Sequence, residues 1–197
     1  MCEKPMALDL LSCQQMINAC NENGVKLGIG HTLRFKDAFF TCRKMIAEGA
    51  IGSLVSGNID RMSATQLPDA SSSLPFVEKD PNHWRTDPRT SGGMALELFI
   101  HEIDITRELF GEVSSVMCEI SKNNEDGGLI SPQLMKALVC FESGALVTMR
   151  TGGTVAMPTI KYWIAGTEGG LCFTEWGGPV EHYRHDLEEM QTVECES

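Results

Sequence analysis

Apolar residues near the start of the chain recur at helical spacing. Leu10, Cys13, Met16 or Ile17 and Cys20 share one stripe, Asp9 stands at the N-cap position and Gly24 offers a left-handed stop. The pattern predicts a helix, with Cys13 and Cys20 as small core hydrophobes. Val25 to Gly30 reads as a short buried strand. A second helix is predicted from about Asp37 to Glu48, with Phe39, Cys42 and Ile46 on one face and Gly49 as its stop. Ser53 to Thr65 reads as extended. Gln66 to Ser91 shows no periodicity and carries Pro68, Pro75, Pro81 and Pro88, which makes it a long loop. Structureless loops beyond about 12–15 residues are uncommon unless functional or disordered, and the Trp84-Arg85 pair argues for function. A third helix is predicted from Gly93 to Leu109, with Leu96, Phe99 or Ile100, Ile103 and Leu109 as its apolar stripe and Gly111 at its end. Only strands follow: Val113–Ser121, Leu134–Phe141, Ala145–Thr151, Ile160–Ala165, Leu171–Glu175 and Val180–His185, separated by glycine-rich turns. Helices followed by consecutive strands make an α+β domain. We expect one open, mostly antiparallel sheet, arranged as a meander, with helices on one face.

Composition narrows the function classes. A chain of 197 residues suits one domain, or one domain and part of another. Its longest apolar run is Ala137 to Phe141, far short of the roughly 20 residues a membrane helix needs, so no membrane partner is expected. Sixteen basic against 27 acidic residues give a net charge of −11, which repels phosphate backbones and argues against nucleic acid. Eight cysteines without a CxxC pair are too sparse for a disulfide scaffold and point to a reducing cytoplasm.

Chemistry concentrates on the third helix. Glu97, His101 and Asp104 stand at i, i+4 and i+7, so all three face one way and can meet one ligand. A histidine with a carboxylate one turn away can act as a general base whose tautomer the acid fixes. Two other readings of the triplet stay open: a solvated face with a packed histidine, and a carboxylate–imidazole metal site, which would need further ligands. Gly152-Gly153 and Gly169-Gly170 read as turns, and neither GxGxxG nor GxxxxGK[ST] occurs.

Glu3-Lys4-Pro5 followed by a capped helix, and Ser91-Gly92-Gly93-Met94-Ala95-Leu96-Glu97-Leu98-Phe99-Ile100-His101-Glu102-Ile103-Asp104, resemble the two signature segments of the glucose-fructose oxidoreductase / inositol dehydrogenase (Gfo/Idh/MocA) family. Gly30-His31-Thr32-Leu33-Arg34-Phe35, Gly49-Ala50-Ile51-Gly52 and Trp84-Arg85-Thr86-Asp87 follow in the family's order. The resemblance implies an NAD- or NADP-dependent oxidoreductase acting on a sugar or polyol. It implies that residues 1–31 are the end of a truncated Rossmann nucleotide domain. Residues 32–197 would then be a substrate-binding, dihydrodipicolinate-reductase-like α+β domain, itself cut short at its C-terminal end. It further implies Lys4, His101 and Glu97 as catalytic residues, with Glu97 where many relatives have Asp. Glu3, Lys4, Pro5 and Arg85 would touch the cofactor, and His31, Arg34, Trp84, Arg85 and Asp104 the substrate. No metal is expected. Without the glycine turn the isolated chain should bind NAD poorly. A non-catalytic substrate-binding and assembly domain, or an NAD-dependent glycosidase of the same family, are the alternatives. Because a one-layer sheet leaves one face unburied, a homodimer or tetramer through that face is expected.

Overall fold

The computed structural model describes residues 1–62, 88–93, 95–121, 134–153 and 157–195. Most of the proline-bearing loop, including Trp84 and Arg85, lies outside the described residues. So do the turn after Ser121 and the end of the chain.

Asp9 caps α1 (Leu10–Glu22) by accepting the Ser12 amide at 2.8 Å, and Gly24 follows with φ 64°. The helix forms where the pattern places it, but no residue of it is buried; Cys13 and Cys20 are only half-covered and Leu10 is exposed. Its apolar stripe is therefore not part of the core. Val25 to Gly30 is not a buried strand either. Among the described residues it makes one parallel bridge, Cys2 with Ile29. Cys2 donates to the Gly28 carbonyl and accepts from the Gly30 amide, both at 2.8 Å, which fixes the Glu3-Lys4-Pro5 segment beside residues 28–30.

A 3₁₀ turn (Thr32–Phe35) leads into α2 (Asp37–Ala47), whose Phe39 and Cys42 are buried as the pattern requires. β1 (Leu54–Met62) follows. The last part of the predicted loop is a single helical turn, α3 (Pro88–Ser91). The third predicted helix opens with a π-helical turn (Ala95–Phe99) and continues as α4 (Ile100–Phe110), closed by Gly111 at φ 92°. The wide turn changes the phase of the stripe. Phe99, Glu102, Ile105, Thr106 and Phe110 are buried, whereas Ile103, expected inside, is 44% exposed.

The remaining strands are β2 (Val113–Ser121), β3 (Leu134–Phe141), β4 (Leu146–Gly152), β5 (Thr159–Gly166), β6 (Gly169–Phe173), β7 (Val180–Arg184) and β8 (Glu189–Val193). They form one eight-stranded sheet in the order β2-β3-β4-β1-β5-β6-β7-β8. The simple meander is corrected in one respect: β1 lies between β4 and β5, parallel to the first and antiparallel to the second, and all other pairs are antiparallel. Gly169-Gly170 is strand, not turn. Sequence reasoning missed β8, since Glu-Met-Gln-Thr-Val is polar and sits at the sheet edge, where no alternation is enforced.

One face of the sheet is covered by α2 and α4. Phe39 meets Tyr162 and Phe173 edge-on, each at 4.9 Å between centroids, and those two rings stack at 4.7 Å. Phe110 packs on Phe141 at 5.4 Å. Beneath Phe110 the sheet needs a glycine: a Cβ on Gly57 would come within 2.8 Å of the Phe110 ring. At Gly166 a Cβ would collide with the Ile51 carbonyl, which cannot swing away. Gly166→Ala is expected to cost about 1–3 kcal/mol by overpacking. Gly28→Ala, which meets nothing within 4 Å, should stay within about 0.5 kcal/mol of the parent. Urea unfolding of the two variants checks the contrast.

Candidate active site

The ends of four segments converge on the first turns of α4. The pinned N-terminal strand segment delivers Lys4, whose peptide bond to Pro5 is cis. The turn before α2 delivers His31 and Arg34, the π turn delivers Glu97, and α4 itself delivers His101, Glu102 and Asp104.

Lys4 Nζ lies 3.0 Å from Glu97 Oε1 and also donates to the Glu97 backbone carbonyl at 2.6 Å, joining positions 93 residues apart. That carbonyl belongs to the π turn. Both side chains are less than a tenth exposed. Among the described residues Glu97 supplies both partners of the ammonium, one a hydrogen bond to its carbonyl and one an ion pair to its carboxylate. Glu3 turns back, its carboxylate accepting the Lys4 amide at 3.2 Å.

Arg34 grips Asp104 with two bonds, Nε to Oδ2 at 2.7 Å and Nη2 to Oδ1 at 2.6 Å, a planar fork on a carboxylate. Its Nε also lies 3.2 Å from Glu108. These bonds push the Arg34 guanidinium further up from its already high pKa. His31 Nδ1 is 3.7 Å from Asp104 Oδ2, and the His31 and His101 rings meet edge-on at 6.4 Å. An open cavity of about 400 Å³ is lined by His31, Arg34, Ile100, Ile103 and Asp104, within the range of small-ligand sites.

His101 itself departs from the expected acid-oriented base. Its Nδ1 is buried and has no hydrogen-bond partner among the described residues. Glu97 is turned to Lys4 and Asp104 to Arg34, so neither carboxylate fixes the imidazole. Burial, followed by the charges of Lys4, Arg61 and His31, lowers its pKa from 6.5 to about 4, with Asp104 opposing. Among the described residues no group of three or more His, Cys, Asp or Glu is arranged to hold a metal ion.

Sequence reasoning overlooked the layer beneath. Glu102, fully buried, accepts at Oε1 from Arg61 Nη1 and from the Tyr162 hydroxyl, both at 3.1 Å. The Arg61 guanidinium lies 4.8 Å over the Trp176 ring. Burial pushes the Glu102 carboxyl up while Arg61 pulls it down. The signal was a glutamate between Phe99 and Ile105 on the buried stripe, a place an acid occupies only with a partner waiting.

The Lys4–Glu97 pair is open to a direct test. Glu97→Leu leaves a buried ammonium without its carboxylate and is expected to cost about 3–5 kcal/mol, whereas Lys4→Met/Glu97→Leu should recover most of that loss. Equal losses in urea unfolding of the single and double variants would show that the two charges are not coupled.

The family model of the GFO/IDH/MocA C-terminal domain matches residues 39–172. The 2,7-anhydro-N-acetylneuraminate hydratase of Escherichia coli (strain K12) is 30% identical over 206 residues, covering 95% of this chain and 50% of the relative. The 1,5-anhydro-D-fructose reductase of Ensifer adhaerens is 29% identical over 172 residues, covering 87% and 48%. A levoglucosan dehydrogenase solved with NADH and levoglucosan superposes with a TM-score of 0.80 at 23% identity, over 98% of this chain and 54% of that one. The chain thus spans about half the length of the curated relatives it matches. A motif order read along the sequence, a sheet shared with solved dehydrogenases and a domain match over most of the chain agree: it belongs to the GFO/IDH/MocA family.

Proposed function

We propose that the whole protein is an NAD- or NADP-dependent oxidoreductase acting on a secondary alcohol of a sugar or polyol in the cytoplasm, the setting its cysteine content favours. One observation carries the reading: Lys4 and His101, far apart in sequence, are brought to the same turns of one helix, with Glu97 holding the lysine.

The described residues fit the reacting end of a nicotinamide nucleotide, not its phosphates. Among the described residues Lys4 is held by Glu97, and the buried Nδ1 of His101 is bonded to no carboxylate. By contrast Gly169 and Gly170 cannot cradle a pyrophosphate, since strand carbonyls of Tyr183 and Ile164 fill the space a Cβ would take. When bound, the nucleotide supplies the carbon that accepts the hydride. His101, neutral at pH 7, takes the hydroxyl proton. Lys4 holds the developing alkoxide, and because Glu97 already fixes the ammonium, little reorganisation is needed as charge builds. Arg34, held by Asp104, and His31 line the cavity where the other hydroxyls of the substrate bind. Trp84 and Arg85 belong to this reading as substrate and cofactor contacts, on the family resemblance alone.

A second reading is hydration of an anhydro sugar, favoured by the 30% identity to the anhydro-neuraminate hydratase. Product analysis separates the two: the oxidoreductase yields reduced nucleotide in step with oxidised sugar, the hydratase a product with one water gained and no net reduction. Turnover of a glycoside without net reduction would point to the glycosidase alternative. In the whole protein His101→Ala is expected to lower kcat by about 10²–10⁴-fold with KM little changed. Absence of turnover on a sugar and polyol panel with either nucleotide would end the oxidoreductase reading.

The face of the sheet that no described helix covers suggests the assembly. Register places Met117, Leu138, Thr148, Asn58, Trp163 and Cys172 in one row across it. The next row is Glu119, Lys136, Arg150, Asp60 and Lys161, in which Arg150 and Asp60 are doubly hydrogen-bonded. Met117 is 71% exposed and Trp163 42%. Large apolar side chains beside a charge ladder suit a second copy of the same sheet. Light scattering is expected to give the mass of two or four chains; a clean monomer would contradict it.

A further inference from the structure

We propose that the outer edge of β2 is a pairing edge for a second copy of this chain: two β2 strands lie antiparallel across a two-fold axis at Cys118 and join two eight-stranded sheets into one. The contact uses the rim of the sheet and not its open face, so it is additional to the face-to-face assembly.

β2 is the outermost strand beside β3, and among the described residues no strand pairs with its other side. A strand edge carries a row of main-chain donors and acceptors that another extended segment can meet in order. The opposite rim of the sheet is blunted by the shortness of β8, five residues, whereas β2 has nine residues, no proline and a single charge, Glu119. Its side chains also lack cover. Val116, Cys118 and Ile120 stand opposite Val139, Ala137 and Met135 on the helix face. Those three residues of β3 are buried, whereas Val116 is 64% and Ile120 50% exposed, so the core stops one strand short of the rim.

The order of residues along the rim favours a copy of itself as the occupant. Continuing the sheet across a two-fold axis keeps each side chain on its own face, so residues of like parity oppose one another and one residue opposes its own copy. The register of β2 on β3 is broken between Val113 and Ser115 and unbroken from Ser115 to Ser121, a stretch whose centre is Cys118. Centring there uses the whole stretch. It sets Val116 against Ile120 twice, on either side of the paired Cys118, and Met117 against Glu119 on the other face; β-branched pairs of this kind stabilise neighbouring strands. Centring on Met117 would set Ile120 against Ser114, inside the irregularity, and centring on Glu119 would set two carboxylates against each other. With Cys118 at the axis each Glu119 keeps Lys136 of its own β3 beside it. The rim is thus nearly palindromic in chemistry about Cys118, which pairing with an unrelated strand does not require.

The test is cross-linking of the purified chain. Directly opposed residues of antiparallel strands have Cα atoms about 4.5–5.5 Å apart, within the span of a disulfide. Copper–phenanthroline takes two electrons as two thiols release two protons and form one S–S bond. It is expected to give a covalent species of twice the chain mass, which Cys118→Ser abolishes. Val116→Lys/Ile120→Lys places charge where both side chains are exposed; it should lower that species to the level of Cys118→Ser and halve the mass read by light scattering. Should the double variant fail to fold, Ile120→Lys alone asks the same question. Absence of the cross-link in the wild type, its persistence in Cys118→Ser, or its persistence in the lysine variants overturns the proposal and leaves the edge to another partner or to none. Trp163→Lys, on the open face and away from β2, distinguishes the two contacts. If the wild type has the mass of two chains and Trp163→Lys changes neither mass nor cross-link, the edge pairing stands and the face-to-face reading falls.

Discussion

Enclosure of β1 on both sides is the constraint from which the rest follows. A strand paired in parallel with β4 and antiparallel with β5 has no free edge, so its alternation is fixed by both neighbours. That alternation sends Ile59 and Arg61 to the helix face and Asn58 and Asp60 to the open face. Gly57 admits the Phe110 ring and so sets the depth at which α4 lies. Glu102 meets Arg61 only because α4 lies at that depth. A slip of one residue in β1 would turn Arg61 outward and bury Asp60 beneath the helices, away from Arg150.

The same geometry explains why the site is rich in charge yet balanced. Three carboxylates of the π turn and α4 are each matched to a cation from another part of the chain: Glu97 to Lys4, Glu102 to Arg61 and Asp104 to Arg34. Each pair ties α4 to a different segment, so the pairs act as a jig as well as an electrostatic environment. His101 sits among them with none of the acids to itself. Burial, and then the charges of Lys4, Arg61 and His31, hold its imidazole below the ordinary pKa.

Much of this was legible in the chain. Helical periodicity located three helices, alternation located six of the seven strands after α4, and the segment carrying Glu97, His101 and Asp104 is helical, divided between the π turn and α4. Signals that depend on a distant partner were not legible. The parallel insertion of β1 is decided by strands that begin at Leu146 and Thr159, and nothing in its own nine residues announces it. Likewise Glu102 looks like a surface residue until Arg61 and Tyr162 are in place. Cys13 and Cys20 fail in the opposite sense: amphipathic spacing shows that a helix has an apolar side, not that the described residues cover it.

The wide turn at Ala95–Phe99 has a consequence for how such a site can change. A π turn is an α-helix carrying one additional residue, so loss of a single codon there would let regular winding resume. The segments on either side would keep their places, because the wide turn takes up its extra residue locally, whereas Glu97, inside the turn, would be aimed elsewhere. The acid that steadies the lysine thus lies in a stretch that one insertion or deletion can widen or tighten, and descent can re-aim it without disturbing His101, Glu102 and Asp104.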